Sequence, residues 1–499
     1  MVLKLQDLIY KDFPELINQL SIFPMQWRER KINEVSSDSR HIQAGWIFVA
    51  IVGNKEDGHL FIPQAIAQGA EAIVVSSAYS LQDFSATIRS NTPILVVDNT
   101  RKFLSLFASR LYGKHPENIL AVTGTSGKSS VASFVQQICQ RSGLSSFQIG
   151  PTSTISSFAQ DNRLTTPSPI YLAKALSYLS SQGVTHVSVE ASSHGLDQHR
   201  LDGIKLIAGS FTNLGRDHID YHQTQQAYFN AKMRLFEELL PKESPAIIYA
   251  DDAYSKEVMK RAHNAGCRVL SVGYQGKFIH LKKVCAIHNK QQVTISVEGK
   301  DFDFLFPLPG EFQVYNALVA AGLCIAIGID SALVLEHLEK LHVVPGRFEF
   351  VGTNSRGGRI YVDYAHTSNS LEMILKNIRT ITSGRIIVVF GCGGDRDQGK
   401  RPIMGKIALD LADIAIVTDD NPRSEDPEKI RAEIIHGIPG FIEKGNRIEA
   451  IRTAIEMLNK QDVLVVAGKG HETVHIVTNG EKKMSVDCDI IREILGLIL

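Results

Sequence analysis

A short segment with the composition of a phosphate-binding loop follows the apolar run Ile119–Val122. Glycines in such a loop let backbone N–H groups approach phosphate oxygens, and a following helix N-terminus adds positive potential. Lys128 would then reach the β- and γ-phosphates of a nucleoside triphosphate, and the Ser129 hydroxyl would coordinate Mg²⁺. Val122 stands where the full motif has its first glycine, so a plain glycine-rich turn remains an alternative. The candidate nucleotide-binding residues are Gly124, Thr125, Ser126, Gly127, Lys128, Ser129 and Ser130.

A carboxylate and a histidine further along the chain are candidate metal ligands. Glu190 closes the apolar run Val187–Val189, and a carboxylate buried at the end of a strand needs a polar partner. A nucleotide-bound Mg²⁺ could be that partner, because hard cations prefer oxygen ligands. His218 is a second candidate, although a lone histidine is more often a hydrogen-bonded structural residue. Proximity to the phosphate loop would favour the ligand role.

Lys232 is unusual because it lies on the apolar stripe of a helix-period segment, Thr224–Leu240. It is four residues after Tyr228 and four before Phe236, so the three side chains share one helix face. On the residues alone, the favoured interpretation is that the lysine extends along this face to reach solvent. The alternative is that burial lowers its pKa and leaves a neutral amine that reacts with CO₂. The resulting carbamate would be an anion able to bind a metal.

The elements that must position these residues are predicted from recurring runs of valine and isoleucine, which are typical of strands buried on both faces. They lie at Ile73–Val75, Ile94–Val97, Ile119–Val122, Val187–Val189, Ile204–Ala208, Ile247–Ala250, Ile386–Phe390, Ile414–Thr418 and Val463–Ala467. Helix-period stretches separate many of these runs, among them an amphipathic one over 131–139 and an apolar one over 317–327. This alternation predicts an α/β fold with largely parallel sheets. Polar residues directly follow six of the runs, where ligands bind in open α/β sheets.

The length of 499 residues fits two to four domains. We predict three: an N-terminal α/β domain at 1–98, a central domain with the phosphate loop at 99–343, and a C-terminal Rossmann-like domain at 344–499. The second boundary falls where proline and glycine end a helical segment, at Val344-Pro345-Gly346.

Charge and cysteine usage restrict the possible partners. Lysine plus arginine equals aspartate plus glutamate at 53 each, so no overall basic field predicts nucleic-acid binding. The six cysteines lack C-x-x-C spacing, which favours reduced, mostly buried thiols. The N-terminus lacks an unbroken apolar region, and no stretch of about 18 apolar residues predicts a membrane span. A cytoplasmic chain without a membrane or nucleic-acid partner is therefore expected.

Several longer segments together resemble the Mur ligase family. They include GTSGKSS from Gly124, EASSHGLDQHR from Glu190, FTNLGRDHIDYH from Phe211 and AKMRLF from Ala231. Further matches are LPGEFQVYNALVAAG, VPGRFEFV, VDYAHT, GCGGDRDQGKRP, DNPRSEDP and AGKGHE, the last ending at Glu472. With DSR and DGH, the resemblance reaches back to Asp38 and covers nearly the whole chain in order. Within the family, it points to members that add a diamino acid to a UDP-linked muramoyl dipeptide.

The resemblance implies an ATP- and Mg²⁺-dependent ligase, expected to be a monomer, that makes peptidoglycan precursors for cell-wall growth, cell shape and division. Lys128 would bind the ATP phosphates, Ser129 and Glu190 the first Mg²⁺, and His218 with a carbamylated Lys232 (N6-carboxylysine) the second. The resemblance thus favours the buried, modified lysine over the solvent-reaching one. Further expected ATP contacts are Asn316, Arg347 and Asp363.

The substrates follow from the same resemblance. The UDP-muramoyl dipeptide would contact Ser39, His59, Thr165, Thr166, Ser192, Gln198 and Arg200. Arginine at the fourth position of DNPR goes with meso-diaminopimelate in the family, because a guanidinium group matches the distal carboxylate bidentately. The expected diaminopimelate residues are Arg396, Asp420, Asn421, Arg423, Gly468 and Glu472.

The chain also departs from the usual family pattern. Ser126 and Ser129 replace Asn and Thr, Gln313 replaces Asn, Leu164 replaces Asn, and Ser368-Asn369 replaces Pro-Asp, while MSVDCDII near the C-terminus matches poorly. These changes put an adenine contact and one substrate contact in doubt. The alternatives are a lysine-adding ligase, a folylpolyglutamate synthetase-like ligase and, from another class, a nucleotide-binding regulator without ligase activity.

Overall fold

Two compact units make up the chain in a computed structural model that describes residues 3–9, 16–21, 24–53, 56–79, 92–153, 164–287, 289–472, 474–476, 482–484 and 486–497. The first unit comprises Met1–Ile119, Ser153–Val187 and Ala191–Leu206. The second comprises Leu120–Thr152, Ser188–Glu190 and Ile207–Leu499. The domain boundaries predicted after residues 98 and 343 stay a prediction.

The first unit is built on a four-stranded parallel sheet in the order β3-β4-β5-β6. Its strands are β3 (Glu34–Ser36), β4 (Trp46–Val49), β5 (Ala72–Ser76) and β6 (Ile94–Val97), and β1 (Leu3–Lys4) pairs separately with β2 (Lys31–Ile32). Its helices are α1 (Leu5–Ile9), α2 (Ile17–Ser21), α3 (Met25–Arg28), α4 (Ile62–Ala67), α5 (Thr100–Tyr112), α7 (Pro169–Ser181) and α8 (Ser193–Asp197). Buried valine and isoleucine side chains fill both faces of this sheet, as the apolar runs predict.

A nine-stranded sheet carries the phosphate loop. In spatial order its strands are β15 (Lys300–Phe306), β14 (Lys290–Val297), β13 (Ile279–Ile287), β12 (Arg268–Gly273), β11 (Pro245–Tyr249), β10 (Ala208–Phe211), β7 (Asn118–Thr123), β9 (His186–Glu190) and β8 (Ser146–Ile149). Pairing is parallel from β7 through β10, β11 and β12 to β13, and antiparallel from β13 to β15. The helices between these strands are α6 (Lys128–Arg141), α9 (Ile219–His222), α10 (Gln225–Arg234), α11 (Ser255–Asn264), α12 (Glu311–Ala326) and α13 (Ser331–Leu338).

The second unit also contains a six-stranded sheet, in the order β16-β17-β21-β18-β19-β20. Its strands are β16 (Arg347–Thr353), β17 (Arg359–Asp363), β18 (Ile386–Phe390), β19 (Ile414–Val417), β20 (Phe441–Glu443) and β21 (Val463–Ala467), all parallel except β16. The helices are α14 (Ser368–Ile381), α15 (Lys400–Leu411), α16 (Pro427–Ile435), α17 (Arg447–Met457) and α18 (Asp487–Ile494), and β22 (Val474–Ile476) pairs with β23 (Lys482–Met484). Large clusters of buried aliphatic side chains lie on both faces of this sheet.

One predicted strand is wrong. Only Ala208 of the apolar run Ile204–Ala208 lies in a strand; β10 begins there and continues through Gly209 and Ser210. A side chain at Gly209 would lie only 2.9 Å from Leu240 Cδ1, so the buried strand needs a small residue that an apolar-run search passes over. Ile204 is nevertheless buried, outside any strand.

The predicted helix over 224–240 also has an irregular end. The Thr224 hydroxyl caps α10 by accepting the Ala227 N–H at 3.1 Å. The α-helix ends at Arg234, and a π-helical turn, Leu235–Leu239, follows it directly. Within the described residues, no helix is both long and apolar enough to cross a membrane. All six cysteines are free thiols, and only Cys285 is not buried.

Candidate active site

The phosphate loop connects the end of β7 to the start of α6, as predicted. Gly127 has φ 88° and forms the N-cap of α6, a left-handed conformation that favours glycine. A Cβ atom on Gly127 would collide with the Asn316 side chain, and one on Gly124 would collide with Thr212. Glycine is therefore required at both positions, because Thr212 and Asn316 pack directly against the backbone of the loop.

Two lysines donate to the same carbonyl oxygen of this loop. Lys128 Nζ lies 2.9 Å from Gly124 O and 2.8 Å from Thr125 O, and Lys232 Nζ lies 2.8 Å from Gly124 O. Burial lowers the pKa of Lys128, against the opposing charges of Glu190 and Asp217. The structure thus brings the predicted phosphate-binding lysine and the unusual helix lysine to one acceptor.

Lys232 is buried, so the interpretation that its amine reaches solvent is wrong. Its side chain is 1% exposed, and Nζ lies 4.3 Å from the centre of the Tyr228 ring. Burial and the charge of Lys128 hold the pKa of the Lys232 amine well below its ordinary value, although Asp217 acts in the opposite direction. A lysine in this environment is a candidate for reaction in its neutral form.

Glu190, Ser129 and Arg347 form a connected group beside the loop. Glu190 is 2% exposed, and burial raises its pKa against the charges of Lys128 and Arg347 and a hydrogen bond with Ser129. Arg347 Nη2 donates to Ser129 Oγ at 3.0 Å, and its guanidinium lies 4.2 Å from the centre of the Tyr364 ring. The first residue of the six-stranded sheet therefore contacts the phosphate loop.

An aspartate that the sequence did not single out lies next to the predicted ligand His218. Asp217 Oδ2 is 3.3 Å from His218 Nε2 and 3.7 Å from His366 Nε2. Burial acts to raise the pKa of Asp217, but His366, His218 and Lys400 together hold it far below its ordinary value. Lys400 Nζ in turn donates to His366 O at 2.9 Å. Asp217 and His366 lie in motifs that carry the resemblance, but nothing in their spacing predicts this contact.

The predicted nucleoside contacts lie around Arg347. Asn316 Nδ2 donates to Gln313 Oε1 at 3.2 Å, and Gln313 Nε2 donates to Arg347 O at 3.2 Å. Gln313, a departure from the family pattern, thus links two expected ATP contacts. Asp363 accepts the Phe348 N–H at 2.7 Å, and burial raises its pKa to about 6 against the charge of Arg347.

The chemistry of these side chains fits divalent cations. Ser129 and Glu190 offer hard oxygen donors, and both are buried beside the phosphate loop. His218 and Lys232 flank the same tyrosine, with the His218 and Tyr228 ring centres 6.2 Å apart. No cluster of three or more His, Cys, Asp or Glu side chains suited to a metal occurs among the described residues.

Four of the predicted diaminopimelate residues lie together after β19 and β21. Asn421 Nδ2 donates to Glu472 Oε2 at 3.1 Å, and Tyr364 OH donates to Glu472 Oε1 at 3.2 Å. Burial and the charge of Asp420 raise the pKa of Glu472. Gly468 has φ 111°, and a Cβ atom there would lie 3.0 Å from Asp420 Oδ2. Tyr364 links this polar group to Arg347, because its hydroxyl bonds to Glu472 and its ring lies 4.2 Å from the Arg347 guanidinium.

The two predicted arginines of this pocket lie on neighbouring loops. Arg423 is half-buried, with Nη1 donating to Gly394 O at 2.7 Å. Arg396 is exposed, and its Nη1 lies 3.5 Å from Asp395 O. Both guanidinium groups are thus carried by the loops that follow β18 and β19.

The residues expected to bind the UDP-muramoyl arm lie in the first unit, in two groups. In one, Ser39 Oγ donates to Gln64 Oε1 at 2.8 Å, while His59 Nδ1 lies 2.7 Å from Asp57 Oδ1. His59 also stacks on Tyr79 with 3.9 Å between ring centres.

In the second group, Thr166 and Ser192 hydroxyls are 2.9 Å apart, beside the half-buried Thr165. Arg200 donates to Thr166 O at 2.6 Å and to Gln198 Oε1 at 2.7 Å. Leu164, one of the departures, is 42% exposed.

Comparison with known proteins identifies the class. Three family models match consecutive segments: the Mur ligase family catalytic domain over residues 31–112, the Mur ligase middle domain over 122–324, and the Mur ligase glutamate ligase domain over 346–470. The chain belongs to the Mur ligase family. This confirms the resemblance and, with the sheets described above, the predicted three-domain α/β fold.

Similar proteins narrow the class. A protein of Brucella melitensis biotype 1 named UDP-N-acetylmuramoyl-L-alanyl-D-glutamate--2,6-diaminopimelate ligase is 50% identical over 465 residues, covering 93% of this chain and 94% of its own. A protein of Rhizobium meliloti with the same name is 46% identical over 496 residues, covering 99% and 100%. A solved structure of a ligase with this name is 31% identical, with a TM-score of 0.69, and covers 100% of this chain and 99% of its own.

Proposed function

We propose that this chain joins meso-2,6-diaminopimelate to the D-glutamyl γ-carboxylate of UDP-N-acetylmuramoyl-L-alanyl-D-glutamate, with ATP and Mg²⁺. The observation that carries the proposal is the pair of lysines, 128 and 232, that donate to the Gly124 carbonyl of the phosphate loop. Pure nucleotide binding requires the first lysine but gives no reason to bury the second. The names of the similar proteins support the choice of substrates.

The proposed reaction has two steps. A γ-carboxylate oxygen of the D-glutamyl group takes the terminal phosphoryl group of ATP, the bond to ADP breaks, and an acyl phosphate forms. An amine of diaminopimelate then attacks the acyl carbon through a tetrahedral intermediate. Phosphate leaves, the nitrogen loses a proton, and an amide bond remains. The chain's contribution is mainly positioning and electrostatic stabilisation, as in other phosphoryl transfers.

Lys128 and Arg347 supply the fixed positive charge. Lys128 would exchange its bonds to the loop carbonyls for bonds to the β- and γ-phosphates. Arg347 already contacts Ser129 Oγ, so its guanidinium is held beside the same phosphates. Asn316 and Asp363 would contact the nucleoside, with Gln313 fixing the Asn316 amide.

Ser129 and Glu190 would hold one Mg²⁺, and His218 with carbamylated Lys232 a second. When bound, these cations offset negative charge on the transferring phosphoryl group. Asp217 Oδ2 lies 3.3 Å from His218 Nε2, so its charge would help to orient the imidazole that binds the metal. The buried Lys232 amine would form its carbamate by attack on CO₂ with loss of a proton.

The amino acid would bind at the loops after β18, β19 and β21. Arg423, with Arg396, would pair with the distal carboxylate, and Glu472 with the distal ammonium group. Asp420, Asn421 and Gly468 would contribute to the same site, since Asn421 bonds to Glu472 and Gly468 packs against Asp420. L-Lysine lacks the distal carboxylate, so it would leave the Arg423 guanidinium without its partner.

The first unit would bind the sugar-nucleotide acid. Its contacts are proposed at Ser39, His59, Thr165, Thr166, Ser192, Gln198 and Arg200. A monomeric, cytoplasmic enzyme of peptidoglycan precursor synthesis, with consequences for cell shape and division, fits this assignment.

The test is phosphate release from ATP with the UDP-muramoyl dipeptide, comparing meso-diaminopimelate, L-lysine and no amino acid. We expect release only with an amino acid, and much faster release with diaminopimelate. Equal rates with L-lysine and diaminopimelate would contradict the proposed amino-acid specificity. Phosphate release only with a folate acceptor would support the folylpolyglutamate synthetase-like alternative. If no amino acid stimulates phosphate release, the chain would be a nucleotide-binding regulator.

A lysine variant links this activity to the phosphate loop. Lys128→Ala should abolish phosphate release. Lys282→Ala is the matched control, because Lys282 forms an exposed ion pair with Asp301 at 2.7 Å on the antiparallel strands. Full activity of Lys128→Ala would contradict the phosphate-loop role.

A further inference from the structure

Arg401 in α15 is completely buried and is bound by two carboxylates. Its exposed fraction is 0%. Nη1 donates to Glu425 Oε2 at 2.8 Å and to Glu433 Oε2 at 2.6 Å, and Nη2 donates to Glu425 Oε1 at 2.9 Å. The pair with Glu425 is therefore bidentate, a geometry that lysine cannot reproduce.

A buried ion pair of this kind is weak evidence for stability. Removing a guanidinium group from water carries a large desolvation penalty, and well-packed apolar residues often replace such pairs without loss. The role of Arg401 is therefore better inferred from the segments that its ion pairs connect than from their contribution to stability.

Arg401 connects two loops, which we call loop A (391–399, after β18) and loop B (418–426, after β19). Arg401 Nη2 lies 3.4 Å from Gly393 O of loop A, while its carboxylate partner Glu425 belongs to loop B. Glu425 Oε1 also accepts the Asp395 N–H of loop A at 2.6 Å. One buried guanidinium group and one carboxylate thus join both loops.

Further hydrogen bonds cross between the loops next to this pair. Ser424 Oγ donates to Asp395 Oδ1 at 2.5 Å, and Arg423 Nη1 donates to Gly394 O at 2.7 Å. Asp395 and Arg423 have φ values of 53° and 51°. Such left-handed conformations are costly for residues other than glycine and persist only where the surroundings fix them.

We propose that Arg401 is a positioning residue for amino-acid selection: it holds loop B against loop A so that the Arg423 guanidinium faces the distal carboxylate of the diamino acid. This inference rests on the proposed function. Arg401 itself is fully enclosed, so it would act without contacting the amino acid. Its effect is transmitted through Glu425, two residues after Arg423.

The variant Arg401→Lys keeps the charge but loses the bidentate geometry. We expect the KM for meso-diaminopimelate to rise about 10-fold, with the ATP KM changed less than about 2-fold. The preference for meso-diaminopimelate over L-lysine should fall. A displaced Arg423 would lose its contact with the distal carboxylate of diaminopimelate, whereas L-lysine has no distal carboxylate and would bind as before. A merely structural role would change the two KM values together.

A double-mutant cycle with Arg423→Ala gives the decisive readout. If Arg401 acts through Arg423, adding Arg401→Lys to Arg423→Ala should change the diaminopimelate KM by less than about 2-fold. If the Arg401→Lys effect is undiminished in that background, or if its diaminopimelate KM equals the wild-type value, the proposal is overturned.

Controls separate misfolding from mispositioning. Arg379→Lys is a matched control, because Arg379 pairs with Asp413 at 2.7 Å while being 46% exposed, and it should leave both KM values unchanged. If Arg401→Lys does not fold, Glu425→Gln takes its place in the same cycle with the same expected outcomes. The proposed function is tested separately, by whether the wild-type enzyme releases phosphate in response to diaminopimelate. If it does not, both proposals fail. If it does, and Arg401→Lys behaves like the wild type, only the role proposed for Arg401 is refuted.

Discussion

Gly150 offers a way to displace Glu190 without changing it. Gly150 follows β8, and a Cβ atom there would lie 2.8 Å from Glu190 Cδ and 3.1 Å from its Cγ. Its φ lies outside the left-handed region, so alanine brings little backbone strain. The three atoms nearest to the added Cβ all belong to Glu190, so Gly150→Ala acts first on this side chain.

The size of the effect follows from these distances. Ordinary van der Waals contact begins near 3.4 Å, so the Glu190 carboxyl carbon must move by about 0.6 Å, and its nearer oxygen by more. A displacement approaching 1 Å at a reacting centre costs about 100-fold in rate, equivalent to about 2.7 kcal/mol. Because Glu190 can rotate away, the loss of stability should be no more than about 1 kcal/mol.

The assay is amino-acid-dependent phosphate release at saturating ATP and Mg²⁺. We expect kcat of Gly150→Ala to fall about 100-fold, with the KM for diaminopimelate unchanged. Gly143→Ala is the control, since Gly143 has φ 80° and no atom within 4 Å of its added Cβ; it should affect stability alone. A wild-type kcat for a folded Gly150→Ala would refute the role of Glu190 as a fixed metal ligand.

Three other predictions address separate parts of the molecule. Lys232→Ala should be inactive, and formate or acetate should restore part of the rate by replacing the carbamate; a fully active variant would contradict the modification. Arg447 pairs with the 2%-exposed Asp487 at 2.7 Å, so Arg447→Met should lower the free energy of unfolding by about 3–5 kcal/mol. Adding Asp487→Leu should recover most of that loss in thermal unfolding, and no recovery would count against the ion pair. The hydrogen bond from Arg401 lowers the pKa of Glu425 to about 2 in the folded chain, from 4.5 in the unfolded chain. The ionised carboxylate therefore stabilises the fold at pH values above 4.5, and this stability is lost as the pH falls from 4.5 towards 2. Glu425→Gln should therefore flatten the fall of the unfolding midpoint between pH 5 and 3, and an unchanged profile would exclude this contribution.

The sequence predicted those strands whose apolar residues are consecutive in the chain. Apolar runs at Ile386–Phe390 and Val463–Ala467 match β18 and β21 residue for residue, because parallel strands covered on both faces need apolar residues throughout. The strand β10 was missed in part because Gly209 and Ser210 are small rather than apolar. The antiparallel strands β14 and β15 were not predicted, since alternating burial leaves no continuous apolar run.

The candidate site shows the same limit at the level of side chains. Residue types and spacing marked the phosphate loop, Glu190 and the unusual Lys232. On the residues alone, however, reaching solvent was the favoured interpretation of Lys232, because helix periodicity cannot tell whether another element covers a face. Asp217 and Arg401 were not singled out, since their importance lies in partners contributed by distant segments.

The hydrogen bond between Arg347 and Ser129 joins residues 218 positions apart. Ribosomes add roughly 5–20 residues per second, so the residues of the phosphate loop are synthesised roughly 10–45 s before this arginine. During that interval the loop lacks one of its two fixed cations. Translation order alone therefore delays a competent ATP site until the C-terminal half of the chain has been made.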